Sequence, residues 1–309
     1  MSASARRVQR TAPLPTQNGV GPSCVVLPPG SWATIFDFLR ERFRAIPAAT
    51  WQARVQRGDV VDEHGVAVTP ERPYVAGLRL YYYRSIDNEP RLPFDETVLF
   101  QDDLLVVADK PHFLPVTPGG RHLQETLLVR LKRRLGIDTL APLHRLDRET
   151  AGVVVFAVRP DTRGAYQALF AQRRVTKHYE AIAPWRPELP FPLTHRSRLM
   201  QDDHFLRMRE VPGEPNAETL VELLGVLGDL ARYRLTPLTG RTHQLRVHCA
   251  ALGMPIAGDR MYPALLPADT DVHARPLQLL ARSIAFIDPI SGASRQFDSA
   301  LRLSLAPPA

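Results

Sequence analysis

The chain predicts an α+β protein: a mixed, largely antiparallel sheet forms its main domain, and a small α/β appendage precedes it. Three observations carry this. Strand-length apolar runs, LLVVAD (104–109), VVVFAV (153–158), ETLVELL (218–224) and ARYRLTPL (231–238), are interrupted by only a few helical stripes. The polar, two-proline stretch SIDNEPRLP (85–93) reads as a linker. A length of 309 residues with 44% apolar content can bury one sizeable core and a smaller one.

Residues 1–22, rich in Ser, Pro, Gln and Gly, read as a flexible tail, and residues 23–84 as the appendage. There SWATIFDFLRERF spaces Ile35, Phe38, Leu39 and Phe43 as a helix behind the cap candidate Ser31. WQARVQRGDVVDEHGVAV gives a second helical segment ending at Gly58, a short strand, a turn at His64-Gly65 and another strand. LRLYYYR alternates as a strand. Its tyrosines suit a small hairpin packed on a helix and, beyond that, a nucleic-acid face of stacking rings and guanidinium groups.

The larger domain, 94–305, begins near Phe94. After LLVVAD comes the turn-rich KPHFLPVTPGG, then Leu123, Leu127, Leu128, Leu131 and Leu135 as one helical core stripe. HRLDRETAG (144–152) runs into VVVFAV, followed by a helix over Thr162–Gln172 and a strand around Tyr179–Ala183. ETLVELL and ARYRLTPL read as paired strands, and THQLRVHCAALG as a helix ending at Gly253 with Leu245, Cys249 and Leu252 on one side.

Composition excludes several classes. No apolar run approaches the ~20 residues that span a bilayer, and the start lacks the apolar core of a secretory signal, so the expected location is cytoplasmic. Cys24 and Cys249 make neither a disulfide framework nor a zinc motif. The net charge of +7 suits a polyanionic partner. Only Lys110, Lys132 and Lys177 stand against 36 arginines, so a lysine marks a position where the compact ammonium is preferred.

Three segments set polar groups against apolar flanks: HRLDRETAG with Asp147, TKHYEAIA with Lys177 and Tyr179 on one strand face, and LTGRTHQLRVH with Arg241 and Arg246 where cations and amides meet an anion. Each taken singly also suits a plain reading: an ion pair, a core tyrosine, a solvated helix start. Glu149 is a conceivable second acid for a glycosidase, but nothing else supports sugar binding. HRLD lacks the glycine-rich loop and DFG of a kinase, and no Walker or Rossmann pattern occurs. His243 and His248, five apart, fall on different faces and form no metal pair. One acid, one tyrosine and one or two arginines remain, with no cofactor and no metal implied.

These segments, with LLVVADKPHFLPVTPGG before them and LTPLTGRTHQLRVHCAALGMPIAGDRMYP after, resemble the RluA-type family of RNA pseudouridine synthases in order and separation. The resemblance implies the pseudouridine synthase fold and a cofactor-free isomerase acting on RNA. Such an enzyme cuts ribose C1′ from uracil N1, turns the base and rejoins it through C5. It implies Asp147 as the catalytic aspartate, as nucleophile or base; Tyr179 against the uracil, placed for proton transfer at C5; Arg246 as the aspartate's partner; and Arg145 in the space left by the flipped base. Lys177 and Arg241 are candidate substrate contacts, while His144, Arg148 and Glu149 are left as positioning or surface residues. Position 151 is Ala where many relatives have Ser. The appendage resembles in plan the small αL-type RNA-binding module of some members, though most of the usual residues are absent. The expected partner of a monomer is ribosomal RNA ahead of tRNA. The competing reading is a non-catalytic RNA-binding or RNA-folding helper that retains the fold.

Overall fold

Residues 12–86, 88–267 and 273–304 are described by a computed structural model, and the chain divides into Met1–Glu89 and Pro90–Ala309. In the first unit, strands β1 (Ser23–Val26), β2 (Val60–Asp62) and β3 (Arg79–Tyr82) form an antiparallel sheet in the order β1-β3-β2, with helices α1 (Ile35–Arg42) and α2 (Ala48–Gln56). Ile35, Phe38 and Leu39 of α1 meet Trp51 and Val55 of α2 over Val60, Leu80 and Tyr82 in one core.

The expected cap Ser31 is not the cap. Thr34 is, because Asp37 stands three residues on and completes a reciprocal box: the Thr34 hydroxyl accepts from the Asp37 amide, and the Asp37 carboxylate accepts from the Thr34 amide. The strand expected after His64-Gly65 shrinks to a single bridge, Val61 to Ala67. Packing of LRLYYYR on the helices is seen in part: Tyr81 and Tyr82 are 7% and 6% exposed, and Tyr82 lies edge-on to Trp51 at 5.1 Å, whereas Tyr83 is half-buried and donates its hydroxyl to the Pro15 carbonyl. Nor is the described part of the expected tail featureless, for Gln17 and Val20 exchange two backbone hydrogen bonds and Val20 is buried.

The second unit holds β4 (Thr97–Gln101), β5 (Leu105–Lys110), α3 (Leu127–Leu135), β6 (Ala141–Pro142), β7 (Ala151–Ala157), α4 (Arg163–Ala171) and β8 (Thr176–Pro184). After them come β9 (Leu193–Gln201), β10 (Met208–Val211), β11 (Ala217–Leu227), β12 (Leu230–Pro237), α5 (Gln244–Ala251), β13 (Leu279–Ile287) and β14 (Ser294–Asp298). One sheet runs β10-β9-β11-β12-β8-β13-β7-β5-β4, with β14 on β13 and β6 on β7. Every pairing is antiparallel except β13 with β7.

That parallel contact depends on Gly152. Its φ is +115°, and a Cβ there would lie 2.2 Å from the Ala281 carbonyl oxygen, so only glycine lets β7 come alongside β13. The leucine stripe is core as expected, although the helix begins after the Thr126 cap and Leu123 is buried from the preceding loop. The sheet itself is half hidden in the sequence. β10 is the edge strand and β9 the next one in; β9 is polar at most positions and β10 at half of them, both bury little, and so they lack an apolar strand signature.

Candidate active site

The centre of the sheet explains why distant segments meet. β12, β8, β13 and β7 are consecutive neighbours, so the loop entering β7, the middle of β8 and the turn from β12 into α5 converge. Around that convergence lies a cavity of about 1070 Å³, lined by Arg145, Asp147, Lys177, Tyr179, Arg241 and Arg246 among others. All six residues singled out in the sequence therefore face one space large enough for a flipped nucleoside.

The loop 144–150 is pinned along its length. His144, stacked on Phe170, accepts the Val155 amide through Nε2 at 3.1 Å. Burial drives its pKa to about 3, so it stays a neutral acceptor. Lys110, fully buried, donates from Nζ to the carbonyls of Pro111 (2.9 Å), Leu114 (2.8 Å) and Arg148 (3.0 Å). His112 donates from Nδ1 to the Glu149 carbonyl at 2.7 Å. Three side chains thus fix the backbone on both sides of Asp147, whose own carboxylate is left 32% exposed towards the cavity.

Opposite it stands Arg246, 2% exposed and shared among three carboxylates. Asp259 takes Nε at 2.8 Å and Nη2 at 2.6 Å, a bidentate pair; Glu149 takes Nη2 at 3.1 Å; Asp147 lies 3.6 Å from Nη1. Burial disfavours the guanidinium charge, but hydrogen bonding and charge from Asp259, with the charges of Asp147 and Glu149, outweigh it and raise the Arg246 pKa. Asp259 locks the fork, and Nη1 is left to the loop.

Lys177 and Tyr179 alternate on one face of β8. Burial first, then the Asp147 charge, lifts Tyr179 above the ordinary phenol range, so it remains protonated. Burial lowers the Lys177 ammonium. Arg241 is exposed at the start of α5, its Nε donating to the Asn216 carbonyl at 3.1 Å, and Arg145 is exposed at the cavity rim.

Glu149, a positioning or surface residue by its sequence, is 8% exposed and bonded to Arg246. Asp259 lay inside a quoted motif without a role, and the signal that could have found it is chemical: a buried arginine needs more than one half-exposed carboxylate. Lys110 was flagged only by the scarcity of lysine. Among the described residues, His195, Glu210 and His248 form a set with metal-ligand chemistry, their atoms within 4.8 Å of one another. Their donors are engaged: His195 with Glu210 at 2.8 Å, His248 with Thr219 at 2.9 Å and Ser197 at 3.1 Å. They act as a hydrogen-bonded clasp from β9 and β10 to α5.

Comparisons with known proteins point to one family. The RNA pseudouridylate synthase family model matches residues 104–251. The dual-specificity RNA pseudouridine synthase RluA of Haemophilus influenzae is 32% identical over 216 residues, 69% of this chain and 95% of the relative. An uncharacterised RNA pseudouridine synthase of Synechocystis is 31% identical, over 74% of this chain and 79% of its own. Among solved structures, human RNA pseudouridylate synthase domain containing 4 superposes with a TM-score of 0.51 at 28% identity, covering 67% of this chain and 88% of that one. Among the described residues no helix is long and apolar enough to cross a membrane. The fold, the order of the motifs and a relative matched over nearly its whole length make one conclusion: the chain belongs to the RluA-type family of RNA pseudouridine synthases, isomerases that convert uridine to pseudouridine in RNA.

Proposed function

We propose that the chain isomerises uridine in structured ribosomal RNA, with tRNA as a second target, and that Asp147 is the reacting carboxylate. The observation that carries the site is the shared guanidinium. Arg246, saturated on one side by Asp259 and Glu149, presents Nη1 to Asp147 at 3.6 Å, which sets a permanent cation beside the carboxylate that faces the cavity. Both routes to C1′–N1 cleavage, attack on the sugar or proton abstraction, need the carboxylate's charge. Tyr179, protonated and on the cavity wall, meets the uracil as a phenol suited to contact the base; to take the C5 proton it must pass its own hydroxyl proton on in the same step. Arg145 at the rim suits the gap left in the RNA stack, and Lys177 and Arg241 suit its phosphates.

The choice of RNA has two supports. A separate amino-terminal unit, with Arg42, Arg44 and Arg84 around a groove, suits a large structured target, and the Haemophilus relative is described as having dual specificity. Pseudouridine mapping in ribosomal RNA and tRNA, from cells with and without the gene, tests the reading. A uridine that changes state and is restored by the wild-type gene supports it; no change in either RNA refutes it. Deleting residues 1–84 is expected to weaken RNA binding more than it slows turnover of a short substrate, and unchanged binding would remove the appendage from recognition.

A further inference from the structure

We infer that His243 is a positioning residue of the isomerisation: a neutral Nε2–H donor that holds the Asp147 carboxylate beside Arg246, with its tautomer imposed from behind by Tyr262 and the Met208 amide. The inference rests on the reading of Asp147 as the reacting carboxylate.

The hydrogen-bond chain gives the protons a direction. The Met208 backbone N–H can only donate, and it donates to Tyr262 Oη at 2.7 Å. The buried hydroxyl still needs an acceptor for its own proton, and among the described residues His243 Nδ1 stands within reach of it, 3.0 Å away. A neutral imidazole accepting at Nδ1 carries its proton on Nε2, and Nε2 lies 3.8 Å from Asp147 Oδ2. Tyr262 cannot easily turn away. It is 4% exposed, its ring lies between the Arg207 and Arg246 guanidinium groups at 5.2 and 5.5 Å, and its amide donates at 3.1 Å to Asp259, the carboxylate that locks Arg246.

The backbone points the same way. His243 caps α5 at φ +53°, a left-handed conformation that glycine or asparagine would adopt at less cost, and makes no side-chain cap. What this placement achieves is an imidazole 12% exposed, aimed at Asp147. The charged groups around it are Asp147 from the loop before β7, Glu149 from the same loop, Arg246 on α5 and Asp259 after it. Burial pushes the imidazole below its usual range, Asp147 pulls it up, Arg246 pushes it down, and Asp259 and Glu149 pull up more weakly; the balance favours the neutral ring. Asp147 then faces one permanent cation and one neutral donor, at 3.6 and 3.8 Å. Neither contact is a hydrogen bond at these distances; the proposed Nε2–H donation forms when the carboxylate closes by about 1 Å as substrate binds.

The tautomer is read directly by ¹⁵N NMR of the full-length protein. The expected result is a pyridine-like Nδ1 and a pyrrole-like Nε2 for His243, with the preference weakened in Tyr262→Phe. Activity is read as single-turnover tritium release from RNA carrying [5-³H]uridine at the mapped site. His243→Leu is expected to slow release about 10- to 100-fold with the RNA Kd unchanged. His243→Gln, whose amide N–H reaches the place of Nε2, is expected to stay nearer the wild-type rate. A pyridine-like Nε2, a doubly protonated ring at neutral pH, a wild-type rate in His243→Leu, or a Gln variant as slow as Leu would each overturn the assignment. So would a wild-type rate that falls as pH rises through the imidazole range and loses that limb in His243→Gln. The nitrogen spectrum needs no RNA, so its failure is distinguishable from failure of the uridine chemistry.

Discussion

Replacing Asp259 by Asn keeps the volume and removes the charge that anchors Arg246. The wild-type carboxylate, whose side chain is fully buried, accepts four hydrogen bonds: two from Arg246 at 2.8 and 2.6 Å, and two from the amides of Met261 and Tyr262 at 2.8 and 3.1 Å. An asparagine offers one acceptor oxygen and turns its NH2 against guanidinium or amide donors. Removing one partner of a buried ion pair costs about 3–5 kcal/mol. At about 2–4 °C per kcal/mol for a domain of this size, the expected loss in Tm is about 6–20 °C. The fork also loses its fixed orientation, so Nη1 no longer stands reliably by Asp147, and a misplacement near 1 Å lowers kcat about 100-fold. Urea unfolding and single-turnover tritium release on the same preparation measure both effects. A variant within about 1 kcal/mol of wild type that also turns over normally would refute the clamp.

Other outcomes follow from the same geometry. Gly152→Ala sets a Cβ against the Ala281 carbonyl at a φ of +115°, and a loss of at least about 3 kcal/mol by urea unfolding is expected; a variant as stable as wild type would show that β7 and β13 need no such close approach. Burial lowers Lys110 to about 7, against opposing charge from Asp147 and Glu149, so between that value and the ordinary lysine range the unfolded chain holds more protons than the folded one. Stability should therefore rise with pH above about 7, by at most ~1.4 kcal/mol per pH unit, with the slope missing in Lys110→Met; equal slopes would show that the three carbonyls keep the ammonium charged and would contradict the lowered pKa. Asp147→Asn should leave stability within about 1 kcal/mol, since that carboxylate is partly exposed and has only long contacts, and a larger loss would give it a structural duty.

The legible part of the site was its sequence-local chemistry. Asp147, Tyr179 and Arg246 each sit in a short segment whose polar groups contradict apolar flanks, and the order of those segments carried the family resemblance. Glu149 and Asp259 were not legible as partners of Arg246, because pairings across 97 and 13 residues exist only after β7, β13, β8 and β12 have assembled. His243 was weighed only against His248, and the two indeed have different partners; nothing local shows that a left-handed cap aims the first at a loop nearly a hundred residues earlier. In the appendage, period-two alternation is the same for a stacking face and a buried strand, so LRLYYYR alone does not show that Tyr82 packs on Trp51 and Phe43 while Tyr83 stays half-buried.

The crowded loop HRLDRETAG holds one reacting carboxylate at a uridine in the function proposed above. Single-turnover tritium release from [5-³H]uridine RNA, with wild type and Asp147→Asn compared at equal RNA occupancy, tests this. Release by wild type and none above background by Asp147→Asn, with the same Kd for RNA, is the expected result. Release by Asp147→Asn at a rate near wild type would contradict it.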